Sequence, residues 1–458
     1  MPSSNKRIKE TPIDRLSALP DFLIIQILSL LDAKHSAITA VLATRWRNLW
    51  RESPRLVFSE MSRSPTIIRD FVARVNRILL VLSGGLNGLE TFEVQFYYNY
   101  TYRSDVDAWF NFAARNNAKQ LSVLLNYTGP SELDMYSLPQ TMFHNSNVKR
   151  LYLRGCVLAP LRTIEWRSLT ELTIGWVELQ QHVIENILSG CPALYFLWLV
   201  YNWGFSRLEV ESKSLYKLYV YDQKNGPNHI EPLLQISAPY VHNLRFSLDP
   251  NGRKLSLRNT SSLVDAAFEY IGSGWDSDTE EMMDNAKELL EKIRHVKTVT
   301  IRRGYSQVLS SLAMSGYQFP QSARTGLSVY ALTEKHSIHG ILGLLESSPN
   351  LESLLIYGLG FEEEPTICQD PKGDLNCELL HLKTITFKDF VHPDLDGEPM
   401  LTLARILLNK APALAKMVVN VDGIALREPF KIVQTLLSYP RASMKAVIEP
   451  PQLCCCCP

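Results

Sequence analysis

The stretch DRLSALPDFLIIQILSLLDAKHSAITAVLATRWRNLW spans residues 14–50 and is unusually apolar for a segment near a chain terminus. After Pro20 its apolar residues recur every three or four positions, which places them on one face of a helix. Pro20 suits the first turn of that helix, and Asp21 lies near the positive end of the helix dipole. Two shorter helical segments follow before Pro54, which is a stop signal. The sequence therefore predicts three short helices in this stretch.

Three short helices cannot bury this much apolar surface among themselves, because a chain below about 40 residues rarely maintains a core without help. One interpretation is that the apolar residues pack onto the rest of the chain. The other is that part of the apolar face is left exposed for a partner, since large exposed apolar patches usually mark interfaces. The residues alone leave both interpretations open.

Composition and charge argue against several classes of protein. The chain has 458 residues with 47 basic and 47 acidic side chains, so it lacks the basic surplus that nucleic-acid binding requires. The polar N-terminus has no apolar core of a signal peptide, and the longest apolar run, residues 22–31, is too short to span a bilayer. We therefore expect a nuclear or cytoplasmic protein that binds neither nucleic acid nor membrane.

From residue 89 onward a short unit recurs, with apolar residues at positions i, i+3 and i+5. Its thirteen copies follow at a mean step of about 27 residues, within the range of leucine-rich repeats. The clear copies are Val148/Leu151/Leu153, Leu169/Leu172/Ile174, Leu194/Leu197/Leu199, Leu215/Leu218/Val220, Val241/Leu244/Phe246, Val296/Val299/Ile301, Leu351/Leu354/Ile356, Leu382/Ile385/Phe387 and Leu414/Met417/Val419. The weaker copies are Leu89/Phe92/Val94, Ala118/Leu121/Val123, Leu263/Ala266/Phe268 and Leu327/Tyr330/Leu332.

The last three residues of each unit alternate like a short strand with one buried face. Helix-capable stretches separate several of these strands, at residues 181–188, 282–293, 338–345, 401–408 and 429–437. Stacked units of strand and return segment build a curved solenoid with a parallel sheet, which is the predicted architecture. The alternative is an ordinary α/β domain with coincidental leucine spacing.

The sequence contains no recognisable catalytic constellation, neither a Gly-rich phosphate loop nor a Gly-x-Ser-x-Gly elbow. His336 and His339 have no third ligand nearby, which favours ordinary surface or core histidines over a metal site. We expect no cofactor. Four scattered cysteines predict reduced, buried thiols: Cys156, Cys191, Cys368 and Cys377. The run at 454–457 predicts a disordered tail, with lipidation or metal capture as alternatives.

Residues 14–50 resemble the F-box of plant F-box/leucine-rich-repeat proteins, through the motifs DRLS (14–17), LPD (19–21), ILS (27–29), VL (41–42) and RWRNLW (45–50). This resemblance implies a three-helix module that docks on a Skp-family adaptor, which bridges to a cullin. The adaptor-binding residues expected from it are Leu19, Pro20, Leu23, Ile24, Ile27, Leu28, Val41, Leu42, Trp46 and Leu49. The chain departs from the family pattern at Phe22, where an acidic residue is common, at Ala33, where proline is frequent, and at Ala43-Thr44.

The resemblance extends into the repeats through residues 137–139, 151–156, 188–192 and 236–239, and residues 379–448 are similar to the FBD segment of such chains. The implied fold is of the α/β class, a small all-α F-box followed by a curved leucine-rich-repeat solenoid. The expected domains are a tail at 1–13, the F-box at 14–58, the solenoid at 59–378, the FBD-like final repeats at 379–448 and a tail at 449–458.

Three functional hypotheses follow. The favoured one is a non-catalytic substrate-receptor subunit of a Skp–cullin–F-box ubiquitin ligase, whose F-box binds the adaptor and whose repeats bind an unidentified target protein. The second is a repeat-based interaction protein that acts outside a ubiquitin ligase. The third is an enzyme on an α/β scaffold, which would need a pocket of converging titratable groups that the sequence gives no reason to expect.

Overall fold

The computed structural model describes residues 19–41, 44–83, 88–127, 135–222, 233–249, 252–270, 279–302, 304–331, 337–358, 375–388, 398–420 and 429–449. The chain divides into two compact units. The first unit comprises Met1–Val177 with Gly190–Pro192, and the second comprises Glu178–Ser189 with Ala193–Pro458.

The first unit begins with the three predicted short helices. They are α1 (Asp21–Ser29), α2 (Ala33–Ile38) and α3 (Trp46–Leu49), with single 3₁₀ turns at Thr39–Val41 and Trp50–Glu52. The chain leaves the last turn at Ser53, one residue before the predicted stop at Pro54. The helical prediction for this stretch is therefore confirmed.

The rest of the first unit is a parallel sheet with helices in two of its connections. Its elements are β1 (Arg55–Ser59), α4 (Pro65–Val81), β2 (Thr91–Tyr97), α5 (Arg103–Arg115), β3 (Gln120–Asn126), β4 (Tyr136–Ser137), β5 (Arg150–Arg154), β6 (Cys156–Val157) and β7 (Glu171–Gly175). Strands β1, β2, β3, β5 and β7 pair in that order, all parallel, and β4 pairs with β6.

The second unit is also built of parallel strands, with helices or short strands in the connections. Its strands are β8 (Phe196–Val200), β9 (Arg207–Glu209), β10 (Lys217–Tyr221), β11 (Leu233–Ser237), β12 (Asn243–Leu248), β13 (Lys254–Arg258), β14 (Asp265–Tyr270), β15 (Thr298–Ile301), β16 (Gly326–Ala331), β17 (Ser353–Gly358), β18 (Thr384–Lys388), β19 (Lys416–Val419) and β20 (Val447–Glu449). Its helices are α6 (Gln181–Gly190), α7 (Glu280–Lys292), α8 (Tyr305–Met314), α9 (Ser337–Glu346), α10 (Glu398–Lys410) and α11 (Pro429–Ser438).

In the second unit the main parallel sheet runs β8, β10, β12, β14 and then β15 to β20, and a smaller one runs β13, β11, β9. The small sheet consists of the return segments of the repeats that begin at Leu194, Leu215 and Val241. Other repeats return through helices, and the five predicted helical stretches are confirmed as α6, α7, α9, α10 and α11.

The repeat register matches twelve of the thirteen predicted copies and corrects one. Strand pairing places Leu327 opposite Val299 and Leu354, so Leu327 is the second apolar residue of its copy, not the first. The copy is therefore Arg324/Leu327/Val329, and the predicted Leu327/Tyr330/Leu332 is wrong by three residues. The error arises because an arginine occupies the position that an apolar residue fills in the neighbouring repeats.

Arg324 is 1% exposed, and its Nε and Nη1 atoms have no hydrogen-bond acceptor in the described part of the chain. A second buried arginine of this unit has the opposite environment. Arg253 donates from Nε and Nη2 to the two carboxylate oxygens of Asp222, at 3.0 and 2.8 Å, and from Nη1 to the Phe205 carbonyl. The described residues of the second unit thus include a buried guanidinium with acceptors, that of Arg253, and a buried guanidinium with two unsatisfied nitrogen atoms, that of Arg324.

Candidate functional site

The N-terminal helices form a module with its own buried side. Ile24 and Leu28 of α1 are fully buried, and Trp46 and Leu49 of α3 are almost fully buried. Asp21, at the start of α1, accepts a hydrogen bond from Arg45 Nε at 2.7 Å. This ion pair is exposed and contributes little to stability, but it links the beginnings of α1 and α3. The buried side chains therefore fix the relative positions of the helices.

Asp32 begins α2 as its N-cap. Its Oδ1 accepts a hydrogen bond from the His35 backbone N–H at 2.7 Å, and the His35 ring Nδ1 lies 2.8 Å from the same carboxylate. Partial burial raises the pKa of Asp32, but the two hydrogen bonds from His35 outweigh it and hold the pKa below its usual 3.8. The cap therefore stays ionised at neutral pH and satisfies backbone donors that the helix leaves free.

The structure sorts the predicted adaptor-binding residues by exposure. Pro20, Ile27 and Val41 are exposed, and Val41 is 82% exposed. Leu19 and Leu23 are half-buried, and Leu42 lies outside the described residues. The remaining four are buried inside the chain and hold the module together, so a rigidly docked partner would not contact them directly: Ile24, Leu28, Trp46 and Leu49.

The helices also expose large apolar side chains that the sequence reasoning did not assign to the interface. Phe22 is 61% exposed and Leu30 is 80% exposed on α1, and Ile38 of α2 is about half exposed. Phe22 and Leu30 lie two helical turns apart, so they share a stripe that differs from the buried stripe of Ile24 and Leu28. We call Phe22, Ile27, Leu30, Ile38 and Val41 the apolar F-box surface. The signal that identifies it is a helix that is apolar on more sides than one core requires.

The module is joined to the sheet of the first unit without a linker. Arg55, the first residue of β1, donates from Nη1 to the Ser29 carbonyl at the end of α1, at 3.3 Å. The Pro54 carbonyl accepts from the backbone N–H groups of Glu90 and Thr91, at 2.8 and 3.1 Å. Both contacts link the helices directly to the first two strands.

The second unit presents a cation–aromatic row on the sheet face directed away from its core. Tyr330 of β16 and Tyr357 of β17 stand opposite each other with ring centroids 4.2 Å apart and planes 9° from parallel. Arg302, directly after β15, lies 5.2 Å from the Tyr330 ring, and Lys388 of β18 lies 5.4 Å from the Tyr357 ring. The order across four strands is therefore cation, ring, ring, cation.

A second cluster of the same chemistry lies on β8, β10 and β12. The Arg245 guanidinium lies 4.7 Å from the Tyr219 ring, and the Trp198 ring meets the Tyr219 and Tyr221 rings edge to face. Trp198 Nε1 and Arg245 Nε are buried donors without an acceptor in the described residues. Aromatic and arginine side chains are the groups that most often dominate protein interfaces.

The described residues offer little that resembles a reaction centre. No group of three or more His, Cys, Asp and Glu side chains among them is arranged to hold a metal ion. Burial raises the pKa of the Cys156 thiol, and it raises that of Cys191 to about 12, so neither is a nucleophile at neutral pH. The prediction of buried thiols is confirmed for these two, whereas Cys377 is half-buried and Cys368 lies outside the described residues. No helix in the same residues is long and apolar enough to cross a membrane.

Two protein-family models match the chain. The F-box domain model matches residues 16–58, which contain α1 to α3 and β1. The model described as FBD-associated F-box protein At5g56370, LRR repeats, matches residues 106–261. The chain therefore matches an F-box model near its beginning and a leucine-rich-repeat model further along. Residues 379–448 lie outside both matched ranges, so their likeness to the FBD segment stays a prediction.

Several curated proteins from Arabidopsis thaliana are similar to this chain over most of its length. F-box/LRR-repeat protein At3g03360 is 26% identical over 436 residues, covering 90% of this chain and 85% of that protein. Putative F-box protein At1g49610 is 27% identical, covering 76% and 86% respectively. F-box/LRR-repeat protein At5g02910 is 28% identical, covering 75% and 72%. The first and the third of these proteins are named as combining an F-box with leucine-rich repeats.

Proposed function

We propose that this protein is a non-catalytic substrate receptor of a Skp–cullin–F-box ubiquitin ligase, acting in the nucleus or cytoplasm. The observation that carries the proposal is the apolar F-box surface on helices that match the F-box model. Five large apolar side chains exposed on short helices are costly in water unless a partner covers them. A Skp-family adaptor is the partner that an F-box implies.

The proposed mechanism is tethering. The F-box holds the adaptor, the adaptor binds the cullin, and the repeats hold a target protein. A ubiquitin-loaded conjugating enzyme brought by the cullin then meets lysines of the target at a high effective concentration. The receptor makes and breaks no covalent bond in this scheme, so it needs no catalytic group of its own.

The test is adaptor binding by the purified full chain and by matched substitutions. Leu30→Glu and Val41→Glu each place a charge on the apolar F-box surface, and we expect each to weaken adaptor binding by about 30-fold or more, the effect of losing an interface hot spot. Leu161→Glu is the matched control, because Leu161 is 83% exposed in the first unit but lies outside the F-box. All three variants should retain the wild-type circular dichroism spectrum.

Two outcomes would contradict the proposal. One is a folded wild-type chain that binds no Skp-family adaptor. The other is a loss of binding that is equal in Leu161→Glu and in the F-box variants, which would indicate a non-specific effect of the added charge. The first outcome would support the second candidate, a repeat-based interaction protein outside a ubiquitin ligase. Phe22, exposed where related F-boxes commonly have an acidic residue, is the observation that favours that candidate.

A further inference from the structure

The row formed by Arg302, Tyr330, Tyr357 and Lys388 is basic at both ends and lacks internal acids. On β15 to β18, the alternate positions that face away from the core carry two charged side chains, and both are these basic residues. The neighbouring outward positions are Thr, Ser, Gly and one Leu. Among the described residues of these four strands, the charged side chains on this face are therefore basic, although the whole chain is neutral.

The two cations differ in how far they are neutralised. Arg302 Nη1 lies 3.7 Å from a carboxylate oxygen of Glu269 on β14, which is a weak ion pair between half-buried groups. Lys388 has no carboxylate partner in the described residues. Among the described residues, Lys388 is thus the end of the row whose charge is less compensated.

The tyrosine pair between the cations offers donors and no negative charge. Burial is the main cause that raises the pKa of Tyr330. The charge of Tyr357 and a side-chain hydrogen bond to it raise this pKa further, and the positive charge of Arg302 lowers it. The Tyr330 phenol therefore remains protonated at neutral pH. Because the ring faces are already occupied by each other and by the cations, the phenol edges are what the row presents to a ligand.

We propose that this row binds an extended acidic segment of a partner protein, with one carboxylate at Arg302 and a second at Lys388. The two cations are three strand spacings apart, about 14 Å at about 4.8 Å per spacing, and an extended chain covers that distance in about four residues. The segment therefore carries Asp or Glu at positions i and i+4. A single phosphate group fits less well, because phosphate is usually held by clustered arginines, and here two rings separate the cations.

This proposal deepens the proposed function, since it names the chemistry of the target segment that the repeats would hold. It does not depend on adaptor binding for its test. Peptides of about 12 random residues are displayed and selected on the immobilised full chain, a length sufficient for an extended segment across four strands. Selection on the wild type should enrich acidic pairs at i and i+4.

A charge reversal then identifies the contact. Selection on Lys388→Glu should replace one of the two enriched acids by Lys or Arg and leave the other in place. The matched control is Lys213→Glu, because Lys213 also lies over a tyrosine ring, that of Tyr240 at 5.6 Å, but away from the row. The best wild-type peptide should bind Lys388→Glu at least about tenfold more weakly and Lys213→Glu about equally well, measured by fluorescence anisotropy.

The proposal is overturned if selection on the folded wild type enriches no acidic pair, or if the enriched sequences are the same on Lys388→Glu. Loss of adaptor binding in the F-box variants would leave the peptide result unchanged, so failure of the ligase proposal and failure of this one are distinguishable.

Discussion

Replacing Arg324 by methionine should stabilise the second unit. The arginine occupies the position that the buried apolar residues Val296 and Leu351 fill in the adjacent repeats. Methionine keeps most of the unbranched stem and removes the guanidinium. The substitution therefore retains the packing and removes the unsatisfied charge.

The magnitude follows from two independent considerations. Two buried donors without acceptors cost about 1–3 kcal/mol each, or about 2–6 kcal/mol together. Burial lowers the pKa of Arg324 from its usual 12.5 to about 10, which corresponds to a penalty of about 3 kcal/mol on the charged form. Because this penalty applies in full below the lowered pKa, it is present at neutral pH and is relieved only above about pH 10. After subtracting lost contacts of the stem, we expect a net gain of about 1–4 kcal/mol.

The assay is urea unfolding combined with hydrogen exchange, read in peptides that contain β15, β16 and β17. Local exchange is needed because a chain of two compact units need not unfold in a single step. Arg253→Met is the matched control. It removes a buried guanidinium that is paired with Asp222, so it should destabilise the same unit by about 3–5 kcal/mol.

Opposite signs for the two arginines are the result that the structure requires. If Arg324→Met destabilises the second unit, the guanidinium has acceptors that the described residues do not contain, and the reasoning is refuted. If Arg253→Met stabilises it, the paired and the unpaired arginine do not differ in the way that their hydrogen bonds indicate.

Three further outcomes are expected. Gly155→Ala should destabilise the first unit by about 2–4 kcal/mol, because its φ is +65° and the new Cβ would lie 2.5 Å from a ring carbon of Tyr127. Gly316→Ala is the comparison: its φ is +82° but no atom lies within 4 Å of the new Cβ, so it should cost only about 1–2 kcal/mol in urea unfolding. Cys156 and Cys191 should resist iodoacetamide in the native chain and react after denaturation, as read by peptide mass spectrometry, because both are buried. Asp32→Ala should cost about 1 kcal/mol in thermal unfolding at pH 7, a difference that is lost as the pH falls from the usual carboxyl pKa of 3.8 through the lowered one.

The repeat architecture was predictable because its signal is redundant. Each copy such as Leu351/Leu354/Ile356 is weak alone, but the same spacing recurs along most of the chain, and strand pairing then aligns the copies. The prediction failed where a single residue broke the pattern at Arg324. The predicted helical stretches also did not include α4, α5 and α8.

The candidate interface was only partly predictable, for a different physical reason. Residues 22–31 are apolar on several sides, so the sequence does not say which side packs inward. The structure resolves this by burying Ile24 and Leu28 and exposing Phe22 and Leu30. The cation–aromatic row could not be predicted from the sequence. Its members lie on four separate repeats, and only the strand register brings them side by side.

The direct junction between the helices and β1 has a practical consequence for genetics. Deleting the F-box up to Pro54 would remove the Ser29 acceptor of Arg55, and with it the Pro54 carbonyl that binds Glu90 and Thr91. It would also leave β1, which pairs only with β2 among the described strands, as an unprotected hydrophobic edge prone to aggregation. A truncated allele would then report misfolding rather than loss of a partner. Single exposed substitutions such as Val41→Glu are the alleles that separate the two.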